Sequence, residues 1–270
     1  MENGGELESV LKATAVGPPP ARFSWFGALC AVLFFIWVWA YPVHRDRLLA
    51  VYGSAAIVTI VHLSGFLIAG LAAGAAVEQV SLFCGGTLLR ARIARRFWLT
   101  LSWIPMGGFV KFFGDDPEDR IAPRPGSFRG LPSAARILIP AAGSALCFVL
   151  ALAVIGPSRS GGVITGFPHQ LLDVCSSAGR RSLAARFIHA TDRNTFRVLV
   201  GLLAVEMGLT NLLPFPLSNG GVILIEILET AVGAPLKSRV RTTLQLASLA
   251  VSLFFSIAMA YQLVVAWRSM

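Results

Sequence analysis

The sequence predicts an all-α polytopic membrane protein with about five transmembrane helices, one of them broken, and a small membrane-associated β segment. Three observations lead there. Apolar residues make up 55% of the chain and charged residues only 14%, a profile outside that of soluble domains. Five long runs are almost free of formal charge, and the fourth of them, Val198 to Ile225, is interrupted. The interruption reads Asn-Leu-Leu-Pro-Phe-Pro-Leu-Ser-Asn-Gly-Gly from Asn211 to Gly221. Pro214 and Pro216 remove two backbone donors and push the residues before them towards extended geometry. Such backbone survives at membrane depth only where it is buried in protein or lines a watery cavity, so this stretch marks a candidate site. The plainer alternative is a proline kink that serves packing alone.

In chain order, residues 1–22 read as a short disordered tail, acidic at first and then proline-rich, without the basic start of a signal peptide. Phe23 to Val43 is long enough to cross a hydrocarbon core and stands as an extra N-terminal transmembrane helix. Residues 48–229 form the core. It begins with Leu48 to Val77, which carries His62 near its middle and glycines at 53, 65, 70 and 74 that let neighbours approach. Residues 78–136 are mixed, and Val80 to Phe83 and Phe109 to Phe113 have the content of strands. The acidic cluster from Asp115 to Asp119 lacks the spacing and central glycine of a calcium loop and reads as a solvated turn. Ile137 to Ser158 is the third run, and 159–197 reads as a Gly- and Arg-rich loop. Thr242 to Trp267 is the C-terminal transmembrane helix.

The net charge of +9 points to orientation and to contact with anionic membrane lipids. Nucleic acid is not an expected partner, because no basic helix with interleaved aromatics lies outside the apolar runs. Lys and Arg concentrate in 78–136, which puts the N-terminus and that segment on the cytoplasmic side and 159–197 outside. Cys30, Cys84, Cys147 and Cys175 stand singly, with neither a CxxC pair nor a disulfide framework.

Several pieces together resemble the site-2 protease family of intramembrane zinc metalloproteases. Leu63 to Ala69 looks like the end of the family's zinc helix, and Val77 to Gly86 and Ile104 to Asp115 look like its β segment. Pro125 to Phe128 and Ala141 to Gly143 resemble the approach to its next helix, and Asn211 to Gly221 its Asn-x-x-Pro-x-Pro-x-Leu-Asp-Gly pattern. The resemblance implies a His-Glu-x-x-His helix, in which two histidines hold zinc, the glutamate acts as general base, and a later aspartate completes the ligands. Aligned on Phe66, the motif falls on Val61, His62 and Gly65, with Asn219 at the aspartate position. No catalytic group is intact in that alignment, so no metal or other cofactor is expected here, although the family uses zinc.

His62 and Glu206 are the strongly metal-competent groups near the proposed cavity. A charge at the centre of an apolar helix costs roughly 2.5–3.5 kcal/mol, so a buried polar pair between the two is one reading, and His62 bonded to a backbone carbonyl is the other. The function expected is that of an inactive metallopeptidase relative in the membrane, a bacterial inner membrane by resemblance. It would bind transmembrane or juxtamembrane segments of client proteins without cutting them. The client-binding residues expected are Gly107, Gly108, Phe109, Val110 and Lys111 at a strand edge, with Asn211, Pro214 and Pro216 opposite. An active intramembrane protease with atypical ligands and a small-solute or ion pathway are the alternatives.

Overall fold

The computed structural model describes residues 42–93, 97–115, 125–215 and 218–233, together with isolated positions at 32 and between 236 and 261. Helix α1 runs Pro42–Ala72, strand β1 Val77–Ile93 and strand β2 Phe97–Phe112. A 3-10 turn at Phe128–Gly130 leads into α2 (Ser133–Val174), followed by α3 (Ser177–Arg193), α4 (Phe196–Leu212) and α5 (Asn219–Val232).

The five-span architecture does not hold. Among the described residues, two helices are long and apolar enough to cross a membrane, α1 and α2. The run from Val198 to Ile225 is divided into α4, of 17 residues, and α5, of 14 residues, because Leu213 to Phe215 take up non-helical geometry. The runs 23–43 and 242–267 fall wholly or mostly outside the described residues. Residues 159–197, read as a loop, are instead largely helical: the far part of α2 and all of α3. Forty-two residues in one helix would extend about 63 Å, roughly twice a hydrocarbon core. The break at Gly156 resolves this. Its φ of 76° is left-handed, Pro157 follows, and the helix changes direction there.

α1 and α2 cross on glycine. A Cβ at Gly65 would lie 2.5 Å from the Ala142 carbonyl oxygen, and one at Gly143 would lie 2.8 Å from the His62 carbonyl oxygen. The two backbones therefore touch, which only small residues permit. α4 packs on α2 in the same manner: a Cβ at Gly201 would strike Ile155, and one at Gly208 would strike Phe148. Val58, Cys147, Ala151, Val200, Ala204 and Val205 fill the core among these three helices. Ile57, Ile60, Ile68, Leu138, Val149 and Leu152 face outward, as the surface of a membrane helix requires.

The β segment is larger than the two short strands expected. β1 and β2 form one antiparallel pair, irregular in register. Residues 79–82 of β1 are flanked on both sides, by 108–111 and by 98–101 of the bent β2. The segment is joined to the helices along one side of α1. Tyr52 donates to the Trp103 carbonyl, Thr59 Oγ1 donates to the Pro105 carbonyl at 3.3 Å, and a Cβ at Gly108 would touch Leu63. Positions 52, 59 and 63 recur at helical spacing, so β2 between 103 and 108 lies along one face of α1. Phe112 stacks on Phe128 over Ala75 and Ile139, which closes the other end.

Gly65→Ala is expected to lower the stability of the detergent-solubilised protein by about 1–3 kcal/mol, because α2 must withdraw from its backbone contact. Gly161→Ala, where nothing lies within 4 Å, is expected to leave the melting temperature unchanged or slightly raised. Equal melting temperatures for the two variants would contradict the crossing.

Candidate functional site

The interrupted helix is built to deliver Asn219 to α1. Leu213 ends α4 in extended geometry, and Phe215 donates its N–H to the Leu213 carbonyl at 2.8 Å. Ser218 then caps α5: its hydroxyl accepts from the Gly221 N–H at 3.3 Å and donates to the Leu213 and Phe215 carbonyls. Gly220 is required at the first turn, since a Cβ there would lie 2.2 Å from the Leu212 carbonyl oxygen. α5 is braced against the start of α2 by Arg136, whose Nε donates to Glu226 Oε2 at 2.9 Å.

This geometry places Asn219 Nδ2 3.0 Å from His62 Nε2. With the amide in that orientation it donates, and Nε2 is the unprotonated nitrogen. The imidazole proton then sits on Nδ1, which faces Cys147 Sγ at 3.6 Å. Cys147 is fully buried and His62 nearly so, and the ring packs edge-on against Phe66 with centroids 5.2 Å apart. α1, α2 and α5 thus meet in a line of neutral contacts: amide, imidazole, thiol.

Of the two readings of His62, the backbone one is met by a hydrogen bond to Gly143, and no contact with Glu206 accompanies it. The Glu206 carboxyl instead meets the Gln170 side chain on the far part of α2. Of the α1 positions aligned on Phe66, His62 is the one bonded to Asn219. His62 and Phe66, one turn apart, share the side that Gly143 and Asn219 approach, whereas Gly65 faces α2 backbone and leaves no room for a side chain. Val61 is half-buried on the same stripe as Gly65. Leu63 is buried and adjoins Gly108. The sequence signal that could have found this was Gly65 itself, a residue the helix crossing needs.

The other expected positions divide. Gly107 and Gly108 turn the chain with φ of 71° and 129°, and Phe109 is 49% exposed. Among the described residues, Phe109 and Val110 have a strand partner on one side only. Val110 and Lys111 are half-buried within that strand, and Lys111 pairs with Glu78 at 3.3 Å. Asn211 stays local, donating to the Met207 carbonyl at 2.9 Å. Pro214 is exposed beside the break, and Pro216 lies outside the described residues.

The arrangement is that of a membrane-embedded helical core with a broken helix aimed at a histidine-bearing helix, the architecture of an intramembrane-protease-like protein. The model of peptidase family M50, the site-2 protease family, matches residues 52–255, and the chain belongs to that family. No curated protein matches it. The family normally uses zinc, which requires three protein ligands at a catalytic site. Here the side facing Asn219 offers one imidazole, already bonded to a neutral amide, beside a phenyl ring. Among the described residues no group of three or more His, Cys, Asp or Glu could hold a metal. The donor set at His62 does not fit a catalytic zinc.

Asn219→Leu is expected to cost about 1–3 kcal/mol by leaving His62 Nε2 buried without a partner. His62→Leu combined with Asn219→Leu is expected to recover part of that loss, with a coupling of about 1 kcal/mol in a double-mutant cycle read by thermal melting. Strict additivity would mean that the two side chains do not interact.

Proposed function

We propose that this M50-family protein is a pseudoprotease that holds membrane or juxtamembrane segments of client proteins without cleaving them. The observation that carries the reading is the His62–Asn219 contact beside Phe66. In this reading His62, Phe66 and Asn219 occupy the positions of the family's three ligands, and Leu63 stands where the general base would be. One imidazole survives of that set. An amide brings no negative charge to balance the ion, a phenyl ring brings no lone pair, and leucine cannot activate water. The site retains the shape that delivers a chain to the cavity while lacking the groups that would attack it.

The edge at Phe109 and Val110 supports the client-binding half of the proposal. An extended segment can add to a strand with one unpaired side, its backbone supplying the hydrogen bonds and its alternate side chains the specificity. That edge begins at Gly108, which adjoins Leu63, so a client seated there would pass the disabled site. Exposed Phe215 and Pro214 at the helix break offer an apolar opposite wall.

Two measurements test this. The purified wild-type protein is expected to contain no stoichiometric zinc and to leave a labelled transmembrane peptide intact. Near-stoichiometric zinc with chelator-sensitive cleavage would refute the proposal. Val110→Pro is expected to reduce photocrosslinking of co-expressed clients to a probe at position 109, by removing a strand donor, while melting stays near wild type. Undiminished capture by the folded variant would remove this edge from the account.

A further inference from the structure

A cavity separate from the His62 face lies where the far part of α2, α3 and the start of α4 come together. Its volume is about 560 Å³, within the range of small-molecule sites. Arg159, His169, Gln170, Arg186 and Asn194 supply polar groups. Val163, Val198 and Leu202 supply an apolar wall.

The charges in it are unevenly satisfied. Arg186 is paired with Asp173, and Gln170 is held by Glu206. The Asn194 side-chain nitrogen donates to the Ala190 carbonyl at 2.9 Å, which leaves its own carbonyl end. Among the described residues the Arg159 guanidinium has neither an ion pair nor a hydrogen bond, and the His169 imidazole has none either. A guanidinium with five unused donors at one end of the cavity matches an oxyanion, phosphate above all, with the His169 imidazole farther along the same helix.

From Ser133 to the break at Gly156, α2 extends about 35 Å, close to the thickness of a hydrocarbon core. Arg159 lies three residues beyond that break, past the end of this stretch, and Val198 and Leu202 lie in the first turns of α4. The amphipathic helix α3 borders the cavity through Arg186, with Ala184 and Ile188 buried and Arg181 exposed. A cationic mouth over an apolar wall suits an amphiphile.

We infer that this cavity binds a phosphate-bearing anion, with Arg159 as its charged contact. The chemistry is shared by the headgroup of an anionic phospholipid and by free phosphate, and the apolar wall favours the lipid. The test uses the full-length protein in detergent, with phosphatidylglycerol, phosphatidylcholine of the same acyl chains, or inorganic phosphate added. Thermal melting and native mass spectrometry provide the readouts. Phosphatidylglycerol is expected to bind and raise the melting temperature, and phosphatidylcholine to do neither. Arg159→Gln is expected to weaken phosphatidylglycerol binding on the order of tenfold, since a charged hydrogen bond is lost. Arg92→Gln, on β1, is expected to change nothing. Inorganic phosphate reproducing the full effect would assign the cavity to a free anion, and a negligible effect would assign it to the lipid. Equal binding of both lipids, or a phosphatidylglycerol preference untouched by Arg159→Gln, would overturn the inference.

Discussion

The contact on which the rest of the structure depends is the crossing of α1 and α2 at Gly65 and Gly143. With no hydrophobic effect to drive helices together in lipid, close packing must do it, and backbone-to-backbone approach gives the densest packing available. The Ala142 carbonyl lies where a Cβ at Gly65 would be, and the His62 carbonyl where a Cβ at Gly143 would be. That approach fixes which residues of α1 point where. Gly65 is pressed on α2, so the stripe one residue on, His62 and Phe66, turns towards the N-terminus of α5. Leu63 turns towards the β segment. A single steric fact therefore sets the orientation of the site.

The broken helix supplies the complementary half. Two short helices in place of one span let an N-terminus end inside the protein, where Ser218 caps it and Gly220 lets α4 and α5 touch. Arg136 and Glu226 then hold α5 to the start of α2, with side chains 21% and 12% exposed, enough burial for the pair to resist solvent competition. In an active metalloprotease such a frame would hold ligands in place around an ion. In this protein it holds an amide against an imidazole and a thiol.

Much of this was legible in the sequence. The proline-glycine interruption at 211–221 announced the break, and the glycines of the second apolar run announced a close helix crossing. The family likeness followed from the order of several weak pieces. Three things were not legible. Which residues of α1 face Asn219 depended on which glycine the crossing needs, a tertiary constraint that Phe66 as an anchor could not reveal. Of the two readings of His62, the backbone contact is met at Gly143, whereas the Glu206 carboxyl is met by Gln170; burial cost alone did not choose between them. The helical character of 159–197 was hidden by its glycines and arginines, since amphipathic packing through Ala184 and Ile188 overrides a weak local propensity. The count of spans failed for a related reason: apolar length does not distinguish one crossing from two short helices that meet at a site.

The central claim is that the side of α1 bearing His62 and Phe66, facing Asn219, is an eroded metal site. Zinc content of a variant carrying Phe66→His and Asn219→Asp, with His62 retained, tests it most directly. Two histidines one turn apart and a facing carboxylate would restore three ligands. The account predicts near-stoichiometric zinc in that variant, lost on His62→Ala, and none in a folded variant carrying Val61→His, Gly65→His and Asn219→Asp. A folded Phe66→His, Asn219→Asp protein that purifies free of zinc, or zinc retained by the Val61 and Gly65 set instead, would contradict it.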